Sequence, residues 1–269
     1  IIYQRTNGNP YAMSLLNILL QKYGWGTSIT ELPLYNKDQK QWFSSLLDTI
    51  SKEAQELAFR LSAIRSDLTH NLINFLTHDP LKAVSLTQEL LDGFILQTDD
   101  QPDVFRMHEF LREYLYANLT EDKKKKVHSD AGRYFIRAAD QSDNIYFIED
   151  ALFEAIYHFD LAQSYSEIQK IASKDYELLR LHGDWNHSHT VANHALKAAR
   201  ALKSSLEIVK WLTRVAEWEI DHDQLKEASL HLQQAQDQLS QIGKAKPDQL
   251  KGMKEAETQI LLERGRISY

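Results

Sequence analysis

The chain has 269 residues, of which 9 are glycine and 5 are proline, well below the average usage of about 12 per cent for the pair. All-β sandwiches and doubly wound α/β domains need many turns built on these residues, so the composition predicts a mainly α fold. A chain of this length usually forms two or more domains. It contains no cysteine, which excludes disulfides and thiolate metal sites and is typical of the cytoplasm.

The charge balance also limits the class of partner. The chain carries 31 basic and 38 acidic side chains, a formal charge of -7, which disfavours binding to nucleic-acid phosphates. No apolar run reaches the roughly 18 residues of a membrane span, and no signal-peptide pattern is present. We therefore expect a soluble, cytoplasmic chain.

Because the chain opens on Ile1 instead of Met and stops inside a predicted repeat, we interpret it as a fragment.

The first 64 residues are predicted to form three amphipathic helices. Apolar side chains recur at helical spacing over 11–23, where Asn9 is a suitable N-cap and Pro10 occupies the first turn. A second apolar stripe spans 42–50. Ser51 is predicted to cap the third helix.

The segments that follow have the pattern of a winged helix. A short helix is predicted over 68–76, and a longer one opens at Asp79 and ends before Gly93, a suitable C-cap. Two alternating runs, 94–97 and 104–107, flank a polar turn and predict one small β-hairpin, the only strand pair expected in the chain. Helices followed by a hairpin are the winged-helix arrangement.

Two further helices are predicted after the hairpin. The first starts near His108 and has an apolar face formed by Phe110, Leu111, Tyr114 and Leu115. The second runs from Glu121 to about Ala139, with acidic residues in its first turn, as the helix dipole favours. The four lysines at 123–126 spread around this helix, which predicts a solvated face instead of a phosphate site.

Every segment beyond residue 145 is predicted to be helical, and the helices repeat weakly. Four positions recur after 40 residues: Gly183, Ser188, Ala192 and Ala195 align with Asp223, Ala228, Leu232 and Ala235. Small residues at this spacing let paired helices approach closely. Trp211, Val215 and Trp218 form one stripe, which predicts core packing instead of a ligand site. We therefore expect a solenoid that is tetratricopeptide-like (TPR-like).

Two short motifs resemble those of the STAND class of signal-transducing NTPases. Residues 6–12, Thr-Asn-Gly-Asn-Pro-Tyr-Ala, are similar to the G-x-P motif that opens the helical domain of that class. Met107-His108-Glu109, directly after the hairpin, is similar to the Met-His-Asp motif that ends its winged helix, with Glu in place of Asp. In that class a nucleotide-binding α/β domain precedes these parts and repeats follow them. Residues 90–95 and 155–159 also resemble MalT-type regulators, and the overall order is MalT-like or NB-ARC-like.

The resemblance implies four domains. They are a C-terminal helical subdomain of an NTPase module over 1–50, a winged helix over 51–120, linking helices over 121–160, and incomplete TPR-like repeats over 161–269.

The same resemblance implies cofactor-binding roles for Gly8, Pro10 and His108. Pro10 would pack on the adenine and His108 would approach the β-phosphate of ADP, while ADP or ATP with Mg²⁺ would bind the full-length protein and not the fragment alone. Independently of any family, an imidazole N–H can donate a hydrogen bond to an oxyanion. Two plainer interpretations stay open: His108 as a helix-start histidine satisfied by backbone, and Pro10 as an ordinary first-turn proline.

Several catalytic and metal-binding patterns are missing from the sequence. It has no G-x-x-x-x-G-K-[ST] motif, no nucleophile elbow and no H-E-x-x-H, so we predict that this chain is not an enzyme. The resemblance implies that the full-length protein is an ATP-binding NTPase. His187, His189 and His194 do not share one helical face, which disfavours a metal site. Asp221 and Asp223 are interpreted as capping residues at a repeat turn.

The leading hypothesis is a non-catalytic regulatory fragment of a STAND-type NTPase, and the resemblance to MalT-type proteins suggests a role in transcription regulation. Its partners would be an upstream nucleotide-binding domain of the same chain and a peptide, protein or small inducer on the repeats, with oligomerisation on activation and no membrane contact. One alternative is a TPR-type protein-interaction adaptor. Another is a winged-helix DNA-binding protein that uses 80–92 as its recognition helix, although that helix has one Lys and two acidic residues.

Overall fold

The structure, a computed structural model, describes residues 3, 6, 8–23, 39–99, 101, 103–242 and 247–267. The fold is mainly α, as predicted, with one three-stranded sheet. Contacts divide the chain into unit 1, Ile1–Asp130, and unit 2, Ala131–Tyr269. No helix in the described ranges is both long and apolar enough to cross a bilayer.

Unit 1 contains six helices among its described residues and the three strands. The helices are α1 (Pro10–Tyr23), α2 (Gln39–Leu47), α3 (Lys52–Leu61), α4 (His70–Thr77), α5 (Pro80–Asp92) and α6 (Glu109–Ala117). The strands are β1 (Leu68–Thr69), β2 (Leu96–Thr98) and β3 (Val104–Met107). Helix α7 (Glu121–Asp140) runs across the division between the units.

The predicted helix starts are confirmed by their capping hydrogen bonds. The Ala12 N–H donates to Oδ1 of Asn9 at 3.0 Å, and the Ala54 N–H donates to Oγ of Ser51 at 3.1 Å. Glu89 of α5 accepts from both the N–H and the hydroxyl of Ser51. These bonds satisfy N–H groups that a helix leaves unpaired at its first turn.

The predicted hairpin is confirmed, although its first strand covers 96–98 instead of 94–97. The sheet also has a third strand that the sequence did not indicate. β2 and β3 pair antiparallel, and β1 pairs with the other edge of β3, so the strand order is β1-β3-β2. The prediction of a helix over 68–76 is therefore wrong for Leu68 and Thr69. Thr69 pairs with Val104 in the sheet while its hydroxyl caps α4 through the Leu72 N–H. A strand of two residues is too short to show alternation.

The helix that follows the hairpin buries a narrower face than the sequence predicted. Leu111 and Leu115 are buried, as expected. Phe110, placed on the same face by the prediction, is 49% exposed. It is next to Leu111, about 100° around the helix, so it faces away from the core. The solvated face predicted for the lysines at 123–126 is confirmed, since each is at least partly exposed.

Unit 2 is built on a period of 20 residues, half of the offset found in the sequence. Five helices of 17 residues follow one another: α8 (Ile145–Leu161), α9 (Tyr165–Leu181), α10 (Trp185–Ala201), α11 (Ser205–Asp221) and α12 (Leu225–Gln241). Helix α13 (Pro247–Ile267) follows. The five helices start at 145, 165, 185, 205 and 225, so each begins 20 residues after the one before.

All four turns between these helices have the same backbone geometry. The residue in the left-handed region is Gln163, Gly183, Lys203 or Asp223, with φ of 57°, 79°, 55° and 58°. In each turn the next N–H returns to a carbonyl five residues earlier, as Asp184 does to Leu179 at 2.8 Å. This is the Schellman motif. The sequence did not reveal it because four different residue types hold the left-handed position.

We expect Gly183→Ala to destabilise unit 2 by about 1–2 kcal/mol, the cost of the left-handed region for a residue with a Cβ. Steric overlap plays no part, because no atom lies within 4 Å of the position that this Cβ would take. Gly265→Ala in α13 is a matched control: it also has open space but no positive φ, so it gains helix propensity. Urea unfolding of both variants measures the difference. Equal stability of the two would contradict this account.

Candidate functional site

The predicted G-x-P segment forms the N-terminus of α1. Gly8 has a φ of +72°, a conformation that favours glycine. A Cβ there would lie 2.8 Å from Cε2 of Tyr3, whose exposed ring would have to move. Pro10 is the first residue of α1 and is exposed. The missing N–H of proline removes nothing from the helix at this position. The segment therefore presents its proline ring at the surface of unit 1.

The predicted sensor residue, His108, lies between β3 and α6. It is the N-cap residue of α6 but makes no side-chain capping bond. Its Nδ1 is buried and makes no hydrogen bond within the described part of the chain, which speaks against the interpretation of a side chain satisfied by backbone. Burial lowers the pKa of the imidazole, and the neighbouring Glu109 carboxylate opposes this. His108 is therefore mainly neutral at pH 7.

The structure brings the two motifs into contact through a residue that the sequence did not single out. Tyr11 stacks on His108 with ring centroids 3.7 Å apart and planes 9° from parallel. Tyr11 is only 8% exposed. The ring of Phe110 lies 5.6 Å from the imidazole on a tilted plane. In the sequence Tyr11 was predicted only as the first apolar residue of the stripe over 11–23 and as part of the 6–12 segment, with no role at the site.

Exposed apolar side chains lie on or next to the segments that carry Tyr11 and His108. We call Tyr3, Pro10, Met13 and Phe110 the motif surface, because all four are exposed and lie on or next to the two motif segments. Met13 is one turn after Pro10 on α1, and its N–H donates to the Asn9 carbonyl. Clustered exposed apolar residues are typical of a surface that another protein part covers.

Helix α5, the recognition helix of the DNA-binding alternative, exposes apolar side chains instead of basic ones. Leu81 is 85% exposed and Val84 is 60% exposed. Lys82, the single basic residue of the helix, pairs with Glu53 at 2.8 Å. Base readout relies on side chains such as Arg, Lys, Asn and Gln. Besides Lys82 the helix has only Gln88 of these types, and Gln88 donates to Asp92 at 2.8 Å. This face is poorly equipped for DNA.

In unit 2 the helices form two layers. In one layer, Lys197 of α10 pairs with Asp160 of α8 at 2.8 Å, and Arg200 of α10 bonds to Gln234 of α12 at 3.3 Å. In the other, Arg180 of α9 reaches the next helix of its layer, α11, and α11 contacts α13. Alternate helices therefore lie side by side, as in helical-repeat solenoids.

A groove of about 470 Å³ lies between α11 and α13. Its polar and charged lining residues include Glu207, Lys210, Thr213, Arg214, Glu255 and Gln259. Its volume is in the range of small-molecule sites. Lys210 donates to Oγ of Ser173 at 2.6 Å, and Arg214 pairs with Glu177 at 3.1 Å. The groove therefore presents groups of both signs that are already positioned by neighbours.

A partly buried charge network connects α9 and α11 beside this groove. Glu217 accepts from Arg180 at 2.6 Å and from Arg214 at 3.1 Å. Burial raises the pKa of the Tyr176 hydroxyl to about 12, and the Glu217 carboxylate adds to this effect. The sequence could not indicate the network, because the partners on α9 and α11 are 37 or more residues apart.

The histidines that the sequence grouped together lie in separate environments. His187 pairs with Asp184 at 2.5 Å, and His194 lies 3.4 Å from Asp160. His189 contacts Trp218, with ring centroids 4.0 Å apart. The predicted core stripe is confirmed for Trp211 and for Val215, which are buried, whereas Trp218 is only partly buried.

Comparisons with known proteins find little. No family model matches the chain, and no curated protein matches it. Among solved structures it is similar to the crystal structure of a Signal Transduction ATPase with Numerous Domains (STAND) protein with a tetratricopeptide repeat sensor from Pyrococcus horikoshii, at 12% identity and a TM-score of 0.42. The match covers 99% of this chain and 40% of that one. At this identity and TM-score the likeness does not assign a fold or a function to the chain.

Proposed function

We propose that this chain is a non-catalytic regulatory and sensor part of a STAND-type NTPase. The observation that supports this most is the stack of Tyr11 on His108 at 3.7 Å. It joins the two segments that resemble nucleotide-contacting motifs, although they are far apart in the sequence. In this proposal unit 1 responds to nucleotide state, and unit 2 binds the signal.

The nucleotide would be ADP or ATP with Mg²⁺, bound in the full-length protein against an upstream nucleotide-binding domain of the same chain. The residues of unit 1 fit this group: Pro10 is exposed, and His108, whose Nδ1 is buried without a hydrogen bond in the described residues, keeps its Nε2 for a phosphoryl oxygen. When bound, the nucleotide supplies anionic phosphoryl oxygens. Gly8 and Pro10 would shape the adenine side, and His108 would donate an N–H to a phosphoryl oxygen. The motif surface would be covered by the upstream domain.

Helices α3, α4 and α5 with the three-stranded sheet would form the winged helix of this class. The antiparallel order β1-β3-β2 supports this assignment. The exposed Leu81 and Val84 on α5 favour a protein contact over DNA. A MalT-like role in transcription regulation would then rest on other parts of the full-length protein. The whole would act in the cytoplasm.

The TPR-like repeats of unit 2 would be the sensor. Their regular 20-residue period and the groove between α11 and α13 support binding of a peptide, protein or small inducer. Binding would rotate the winged helix against the nucleotide domain and lead to oligomerisation. The regular period equally suits a plain TPR-type adaptor, in which unit 1 plays no part in nucleotide control.

The nucleotide release rate of the full-length protein separates these functions. We expect His108→Ala to release ADP at least about tenfold faster, because losing a hydrogen bond to a charged oxygen is worth about 1.5–3 kcal/mol. Pro10→Ala is expected to act in the same direction. Stopped-flow release of a fluorescent ADP analogue measures both, with His187→Ala in unit 2 as the histidine control. Unchanged release in both variants would favour the adaptor.

A further inference from the structure

The imidazole of His108 has no hydrogen bond among the described residues to hold its plane. Its Nδ1 has no partner, and its side chain does not cap α6. Rotation about the bond to an imidazole ring has broad minima. Something else must therefore define the orientation in which the ring meets a ligand.

Tyr11 provides the contact that can define it. Its ring lies 3.7 Å from the imidazole and within 9° of parallel, so rotation of the imidazole would drive its edge into the tyrosine ring. Tyr11 is almost completely buried, and its neighbour Ala12 is fully buried. The position of Tyr11 is therefore set by the packing of α1.

We propose that Tyr11 is a positioning residue for His108, which fixes the plane of the imidazole. Because Nδ1 is the buried nitrogen in this plane, Nε2 is left for a phosphoryl oxygen. This inference rests on the proposed function. Through the stacked rings, a shift at the start of α1, where Pro10 lies, also moves His108. The two motifs would then act as one unit.

The test compares Tyr11→Leu, which removes the flat ring, with Tyr11→Phe, which keeps it. In this chain, NMR titration of His108 is expected to show a pKa closer to 6.5 in Tyr11→Leu, because the imidazole becomes better solvated, and an unchanged pKa in Tyr11→Phe. In the full-length protein, ADP release is expected to be about tenfold faster in Tyr11→Leu and within about twofold of wild type in Tyr11→Phe. Tyr11→Met replaces Tyr11→Leu if the latter does not fold.

The outcomes separate failure of the positioning role of Tyr11 from failure of the proposed function. If His108→Ala releases ADP faster but Tyr11→Leu does not, the positioning role is overturned and the proposed function stands. An unchanged His108 pKa in Tyr11→Leu overturns it as well. If His108→Ala leaves the rate of ADP release unchanged, the proposed function fails, and the positioning role fails as well. Tyr11→Phe acting like Tyr11→Leu would show that the hydroxyl, not the stacked ring, carries the effect.

Discussion

Asp175→Asn is expected to remove a large pH dependence from the stability of unit 2. Asp175 lies on α9, is fully buried, and neither carboxylate oxygen makes a hydrogen bond within the described ranges. Burial raises its pKa from 3.8 to about 8, with the carboxylates of Glu149 and Asp150 on α8 adding to the shift. The folded state therefore holds a proton that the unfolded state releases.

The direction in which stability changes with pH follows from this difference in bound protons. Because the folded pKa is above the unfolded one, the stability due to this group is complete below about pH 4 and is lost as the pH rises towards 8. The slope is about 1.4 kcal/mol per pH unit, so we expect the wild-type chain to lose about 2–3 kcal/mol between pH 5 and pH 7. Asp175→Asn cannot ionise and would lack this loss.

Urea unfolding of the wild type and of Asp175→Asn at a series of pH values measures the effect. Subtracting one free energy of unfolding from the other cancels the contribution of groups that titrate in both proteins. Asp143→Asn is the control, since that aspartate is exposed, and it is expected to follow the wild type. Parallel curves for wild type and Asp175→Asn would show that the buried carboxyl is not protonated in the folded state.

Gly132→Ala is expected to destabilise unit 2, although alanine is the better helix former. Gly132 lies inside α7, and a Cβ there would be 2.6 Å from Cε1 of Phe159, a fully buried ring of α8. Helix propensity would gain about 1 kcal/mol, whereas overpacking costs about 1–3 kcal/mol. Since a buried ring has little room to move, the cost of overpacking is expected in the upper part of this range, which leaves a net loss of about 1–2 kcal/mol.

A double-mutant cycle with Phe159→Leu tests the cause of this loss. The smaller side chain alone leaves a cavity and costs stability. Combined with Gly132→Ala, it makes room for the new methyl group, so the double variant is expected to lose less than the sum of the two single losses. Additive losses, or a Gly132→Ala variant as stable as the wild type, would contradict close packing at this position.

The local features of the fold were largely predictable from the sequence. The caps at Asn9 and Ser51, the break at Gly93 and the hairpin depend on residues close together in the chain. The candidate site was predictable only in part. Pro10 and His108 were found by resemblance, but the ring that connects them was not, because a stacking contact across 97 positions leaves no periodic pattern.

Amino-acid composition and helical periodicity by themselves determined a mainly α chain with repeated helices, since burial of one apolar face per helix requires that spacing. Only the tertiary structure decided the third strand at Leu68, the 20-residue period, the stack of Tyr11 on His108 and the burial of Asp175. Each of these depends on which segments meet in space. Which segments meet is decided by the packing of whole helices. The identity of a residue, aspartate or tyrosine, does not by itself show whether its side chain is exposed or buried.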